Sequence, residues 1–255
     1  MATERQAEIF RDEVLAPVGK EAVEGRNMKD NLTGFLAQEG RFYEHSDGLM
    51  VVGRAVNGFE HDIDPIDFND SGYREEHANE LLQMTCQRDD QPCPMEWVTT
   101  EKWKRGLPAF WRVVRGVTRG LGISNPESED WPSHLVWSNL YKVSPAGGGN
   151  PNNSLCNAQY DGCKKLLQCE IQDYRPRHLL FLTETRNHPN WWARPFLDDL
   201  ELRDWPDGRY VRFTGRLSFL GCSCDTLIVG AVHPQGQSGT RQEIADEILS
   251  AFEQK

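Results

Sequence analysis

Three polar runs, each at the end of a short apolar segment, hold the residues best suited to chemistry. They are Gly53-Arg54-Ala55-Val56-Asn57-Gly58-Phe59, the stretch from Asn139 to Asn153, and His233-Pro234-Gln235-Gly236-Gln237-Ser238. Asn139 carries a donor and an acceptor on one amide. His233 offers a ring N–H that can face an oxygen as negative charge develops on it. Gly147-Gly148-Gly149 and Gly236 let backbone approach a phosphate or a sugar closely. Arg54 follows an apolar segment, where an unpaired charge is costly. It is expected to face a carboxylate such as Glu60 or Glu184, a phosphate, or a substrate. Each residue also has a plain role open to it. Asn139 can satisfy the backbone groups of a loop, His233 can be a packed strand-end histidine, and Lys142 can be a solvated or phosphate-facing lysine.

The elements that must position these residues are legible as alternating patterns. The runs Gly48 to Gly53, Leu135 to Leu140, His178 to Leu182 and Thr226 to Val232 are short, apolar and bounded by turn residues. They read as buried strands. Tyr210 to Phe213 adds a further short strand. Helical periodicity runs over Leu107 to Leu121, Leu155 to Tyr174 and Thr240 to Phe252, the last with Thr240 as N-cap and Glu243 three residues on. Glu4 to Val14 is an amphipathic helix, with a hinge expected at Pro17 and Gly19. The segments Glu60 to Gly72 and Cys86 to Met95 are too rich in Asp, Asn and Pro to assign. Strands that alternate with helices imply parallel pairing. The expectation is an α/β fold: one three-layer α/β/α domain over residues 1–255, with a parallel four-stranded central sheet. Residues 1–47 form a helical extension packed on it. In such sheets functional groups collect beyond the carboxyl ends of the strands.

Composition narrows the class. The chain has 255 residues, of which 38% are hydrophobic, enough to bury a core, so a disordered chain is excluded. No apolar run reaches the roughly 18 residues of a membrane span, and the charged N-terminus lacks the apolar region of a secretory signal. Seven cysteines, an odd number, then read as reduced thiols of a cytoplasmic protein. Their spacings (Cys86 to Cys93, Cys156 to Cys163, Cys222 to Cys224) make no standard zinc or cluster pattern, so no metal and no cofactor is expected. The net charge of −11 argues against a protein that coats nucleic acid non-specifically. A local basic face remains: Lys102, Lys104, Arg105, Arg112, Arg115 and Arg119 lie in a stretch without one acid, interleaved with Trp103 and Trp111. It reads either as a solvated helix face or as a DNA contact, through Arg112 and Arg115.

From residue 48 to 245 the sequence resembles the uracil-DNA glycosylase superfamily. The resemblance rests on Asn139-Leu140-Tyr141-Lys142, then Pro145 and Gly149-Asn150-Pro151, then a helix with Cys163 and Leu166-Leu167. Arg175-Pro176 and the strand from His178 follow, and Val232-His233-Pro234-Gln235 precedes a C-terminal helix. That order is similar to the family's iron-sulfur branch. The branch's cluster is not implied, because no Cys precedes residue 86 and Val143 stands where the branch has Cys. The family's first motif is also altered. Its acidic or amide position falls on Arg54 or Ala55, and its Pro on Val56.

The resemblance implies a uracil-DNA glycosylase-like fold and an enzyme that hydrolyses the N-glycosidic bond of a flipped base, leaving an abasic site. It implies DNA as partner, in a monomer. Asn139 reads the base edge, with Arg54 and an aromatic face from Phe59, Phe68 or Tyr73 completing its contacts. His233 stabilises the departing base anion. Asn57, Glu60 or Asp62 takes over the attacking water, or the water is not activated in this way. Lys142, Gly148, Asn150, Gln235, Gln237 and Ser238 approach the DNA backbone. The altered first motif points away from plain uracil, toward a modified or damaged base such as a modified pyrimidine of phage DNA. Repair by base excision and phage defence are the settings this implies. Two other readings stay open: a nucleic-acid or nucleotide-binding protein on the same fold that has lost catalysis, and a hydrolase for a free nucleoside or sugar nucleotide.

Overall fold

The computed structural model describes residues 2–25, 30–45, 47–58, 61–85, 95–99, 106–125, 127–185, 192–219 and 225–254. Phe59, Glu60, Lys102, Trp103, Lys104 and Arg105 lie outside these residues, as do Cys86, Cys93, Cys222 and Cys224.

Nine strands occur among the described residues: β1 (Leu32–Gly34), β2 (Gln38–Glu39), β3 (Leu49–Ala55), β4 (Leu135–Tyr141), β5 (Val143–Pro145), β6 (His178–Glu184), β7 (Leu202–Asp204), β8 (Val211–Leu217) and β9 (Thr226–Val232). The four apolar runs of the sequence are β3, β4, β6 and β9. They form the middle of a seven-stranded sheet of order β2-β4-β3-β6-β9-β8-β7, while β1 and β5 pair separately and antiparallel. The centre is parallel: Leu49 of β3 lies beside His178 of β6, which lies beside Leu227 of β9.

The sheet is therefore mixed and larger than the four parallel strands expected. Its β7-β8-β9 side is antiparallel. The reason is chain length. Only residues 218–225 separate β8 from β9, and a parallel crossover needs about a dozen residues or more. The N-terminal 47 residues also depart from an all-helical extension, since they contribute β1 and β2.

Among the described residues six α-helices accompany the strands: α1 (Glu4–Ile9), α2 (Ala16–Val23), α3 (Ser71–Thr85), α4 (Ala109–Gly120), α5 (Asn153–Tyr174) and α6 (Arg241–Glu253). A π-helical segment, Phe10–Leu15, runs straight from α1 into α2, so Pro17 and Gly19 make no hinge. Pro17 falls in the first turn of α2, where its missing N–H is tolerated. Gly19 is a contact point instead. A Cβ there would stand 2.3 Å from the carbonyl carbon of Phe68, so only glycine permits this approach of helix to backbone. At α6 the expected capping box is present: Thr240 Oγ1 accepts from Glu243 N, and Glu243 Oε2 accepts from Thr240 N.

The chain packs as two compact units. The first comprises Met1–Gln38, Arg54–Arg88 and Ser138–Asp173; the second comprises Glu39–Gly53, Asp89–Trp137 and Tyr174–Lys255. In the first unit the N-terminal helical segment packs with α3 and the short helical turn Pro65–Asn69. In the second, α4 packs on α6, and Trp97, Trp111, Trp131 and Trp137 form an aromatic cluster with ring centroids 5.4–6.3 Å apart. No described helix is long and apolar enough to cross a membrane.

Candidate functional site

In the first unit, two of the three polar runs are tied together. Ser144 Oγ donates to Val56 O at 2.6 Å, and Gly149 N donates to Asn57 Oδ1 at 2.7 Å. The second bond depends on glycine. Gly148 and Gly149 have φ of +94° and +98°, a region that side chains rarely adopt. A Cβ on Gly148 would lie 2.8 Å from Asn57 Oδ1. Asn57 is thus the clamp that holds the glycine loop, with its amide oxygen already engaged. Arg54 is half-buried and lies within β3, not after it. Asn150 and Asp62 are exposed. Asp62 precedes Ile63, whose backbone pairs with Leu32.

Asn139 lies inside β4, two residues before its end, and is 1% exposed. Its Nδ2 has no hydrogen-bond partner among the described residues. A buried amide donor left unpaired is uncommon in native interiors and calls for a reason such as a ligand or a water.

Lys142 corrects the sequence reading. It is fully buried, so its ammonium is not on the surface. Its Nζ donates to Glu170 Oε1 at 2.6 Å and to Ser138 Oγ at 2.7 Å, while Ser138 Oγ donates to Glu170 Oε2 at 2.7 Å. Every member of this triangle is satisfied, which is what lets a charged pair exist inside a protein. Next to it Gln159 of α5 accepts from the backbone N–H of Lys142 and of Val143 (3.0 and 2.9 Å) and donates to Val143 O at 2.8 Å. One helix therefore fixes the end of β4 and the start of β5. The glycine loop and Asn139 inherit their positions from it.

In the second unit, His233 directly follows β9. Its backbone N donates to Glu184 O at the end of β6. Its Nδ1 accepts from Gln235 N at 3.3 Å, and Phe110 of α4 lies 6.2 Å away, ring centroid to centroid. With Nδ1 as acceptor, the neutral ring carries its proton on Nε2. Gln237 does not face outward as a free amide; its Nε2 donates to His233 O at 3.1 Å. Ser238 O accepts from Tyr210 Oη, and Gln235 and Ser238 are exposed. On α4, Arg112 is exposed and Arg115 is paired with Glu127 at 3.4 Å. The basic stretch thus has an acidic neighbour in space that it lacks in sequence. Trp111, interleaved with these arginines, is a core residue of the aromatic cluster and is 4% exposed.

Three groups were not read from the sequence as the structure has them, although the sequence points to Lys142 as a surface lysine and to Glu184 as a partner for Arg54. One is the Glu170–Ser138–Lys142 triangle. Another is Glu184, fully buried, whose Oε1 accepts from Ala193 N and Thr183 Oγ1. The last is His61, His77 and Glu80, with one donor atom from each within 4.8 Å of the others. Burial, with His61 beside it, pushes the His77 imidazole down to about 4. A His at 77 followed by Glu at 80 on one helix face was the available signal; it needs α3 to be recognised first.

Compared with protein-family models and with curated proteins, the chain matches none of either.

Proposed function

We propose that this chain is a DNA glycosylase-like enzyme on a three-layer, uracil-DNA glycosylase-like fold, which hydrolyses the N-glycosidic bond of a flipped, modified base. The observation that carries this reading is the unpartnered Nδ2 of Asn139, held in a buried strand position. A base edge supplies the acceptor that this donor lacks, and the rigid strand fixes its direction. His233 fits the second role. With Nδ1 accepting from Gln235 N, the ring N–H of the neutral imidazole is on Nε2, the kind of donor that stabilises a departing base anion. The sheet order supports the fold reading, since β3, first of the four core strands in sequence, stands between β4 and β6.

The test uses oligonucleotides carrying different single modified bases. Wild type should release one class of base. Asn139→Ala should bind that oligonucleotide more weakly and discriminate poorly between bases, because the amide acts in the ground state and the transition state alike. Retained discrimination would remove Asn139 as the reader.

DNA contact has its own test. Reversing Arg112 and Arg115 to Glu should weaken binding to all sequences and reduce the salt slope by about 2, because phosphate contacts carry no base information. Anisotropy titrations at several salt concentrations measure this, and an unchanged slope would move the contact face elsewhere. One observation favours binding without cleavage: the Asn57 oxygen, proposed to hold water, already accepts from Gly149.

A further inference from the structure

We propose that His61, His77 and Glu80 form a binding site for one divalent transition-metal ion of the zinc type, joining the segment after β3 to helix α3.

The three residues come from two places in the first unit. His77 and Glu80 are one turn apart on α3, and His61 lies ten residues before the start of that helix. Their rings and carboxylate gather closely. The two imidazoles stand edge to face with centroids 4.9 Å apart, and His77 Nδ1 is 3.8 Å from Glu80 Oε2. That separation is too long for a hydrogen bond. His61 Nε2 and His77 Nε2 are both buried with no hydrogen-bond partner among the described residues. His77 is 2% exposed, so bulk solvent does not reach it. Its surroundings are otherwise apolar or aromatic: the Phe10 and Phe68 rings lie beside it, and it packs so closely on Gly34 that a Cβ there would stand 2.7 Å from its Nε2.

Two imidazoles and one carboxylate are a donor set that zinc and its neighbours accept. Bonds of about 2.0–2.2 Å at tetrahedral angles place ligand atoms roughly 3.3 Å apart. The present spacing, up to 4.8 Å, closes to this by small side-chain rotations. Glu80 is 54% exposed and can make that movement without disturbing the core. Three protein ligands leave a further position for water. Magnesium does not suit the site, because it prefers oxygen ligands. The expectation of a metal-free protein rested on cysteine spacing and did not consider this histidine pair. The site does not depend on the glycosylase reading.

The experiment is a zinc titration of full-length, tag-free protein after chelator dialysis, followed by a competing dye and by thermal unfolding. One equivalent should bind and raise the melting temperature, because an ion that binds only the folded state stabilises it. Cobalt(II) should give visible bands without the near-ultraviolet charge transfer of a thiolate site. His61→Ala and Glu80→Gln should each weaken zinc binding tenfold or more, while Glu76→Gln on the same helix should not. These two ligands are chosen because neither is fully buried, so the variants should fold. Magnesium should leave the melting temperature unchanged. Absence of zinc binding, a cobalt–thiolate spectrum, or variants that bind as wild type does would overturn the proposal.

Discussion

His233→Ala should lower the rate of base release in single turnover by about 100-fold or more, with DNA affinity nearly unchanged. The asymmetry follows from when the interaction forms. Before bond cleavage the base is neutral, and an N–H facing it contributes little. As the glycosidic bond breaks, the base takes the electron pair, and the same N–H meets a growing charge. The residue is held by its neighbours. Gln235 N holds Nδ1, the Gln237 amide holds the carbonyl of His233, and the backbone N–H is tied to β6 at Glu184. His233→Gln keeps a donor of similar reach and should retain more activity than Ala. Equal rates for wild type and His233→Ala would remove His233 from the mechanism.

Truncating either member of the buried ion pair should be the most damaging change to stability. Lys142→Ala or Glu170→Ala should cost about 3–5 kcal/mol, because each leaves the opposite charge buried and unpaired. Removing both charges with Lys142→Met and Glu170→Leu should cost far less, or nothing. Urea unfolding of the three variants measures the difference. If the double replacement is as damaging as the single ones, the loss comes from packing and not from charge. Activity gives a second readout. The pair sits where α5 fixes the end of β4, so the single variants should also loosen Asn139 and the glycine loop that Asn57 clamps.

How much of this was legible beforehand depends on whether the information is local. The buried strands were, because a continuous apolar run between turn residues has few other uses in a sheet covered on both faces. The start of α6 was, because its capping box lies within four residues. Helix α3 was not. Only His77, Ala78, Leu81 and Thr85 of its fifteen residues are buried, and two of those four are polar types that a hydrophobic pattern does not count. The Pro17 hinge failed because proline is compatible with a first helical turn, and the π-helical segment before it carries the chain on without a break.

The site divided along the same line. Polar runs at strand ends marked Asn57, Asn139 and His233 by position alone. Whether a lysine faces DNA or the interior depends on a partner elsewhere. Glu170 is 28 residues from Lys142 in sequence, and no local pattern ties the two. Arg115 is similar: the acid it pairs with, Glu127, lies beyond the end of its own helix. The antiparallel edge of the sheet, by contrast, follows from the short link between β8 and β9, which is visible once Val211–Leu217 is recognised as a full strand.

The central claim is bond cleavage, and chromatography of free base is its most direct measurement. Wild-type protein is incubated with single- and double-stranded oligonucleotides that carry uracil, hydroxymethylated, glucosylated, deaminated or oxidised bases, and the supernatant is assayed for released base. The account predicts release of one class of modified base, matched by an equal number of alkali-labile sites in the strand, and a rate that His233→Ala lowers. Tight DNA binding with no free base from any substrate would contradict it and leave a binding protein. Release of base from free nucleosides but never from DNA would contradict it as well.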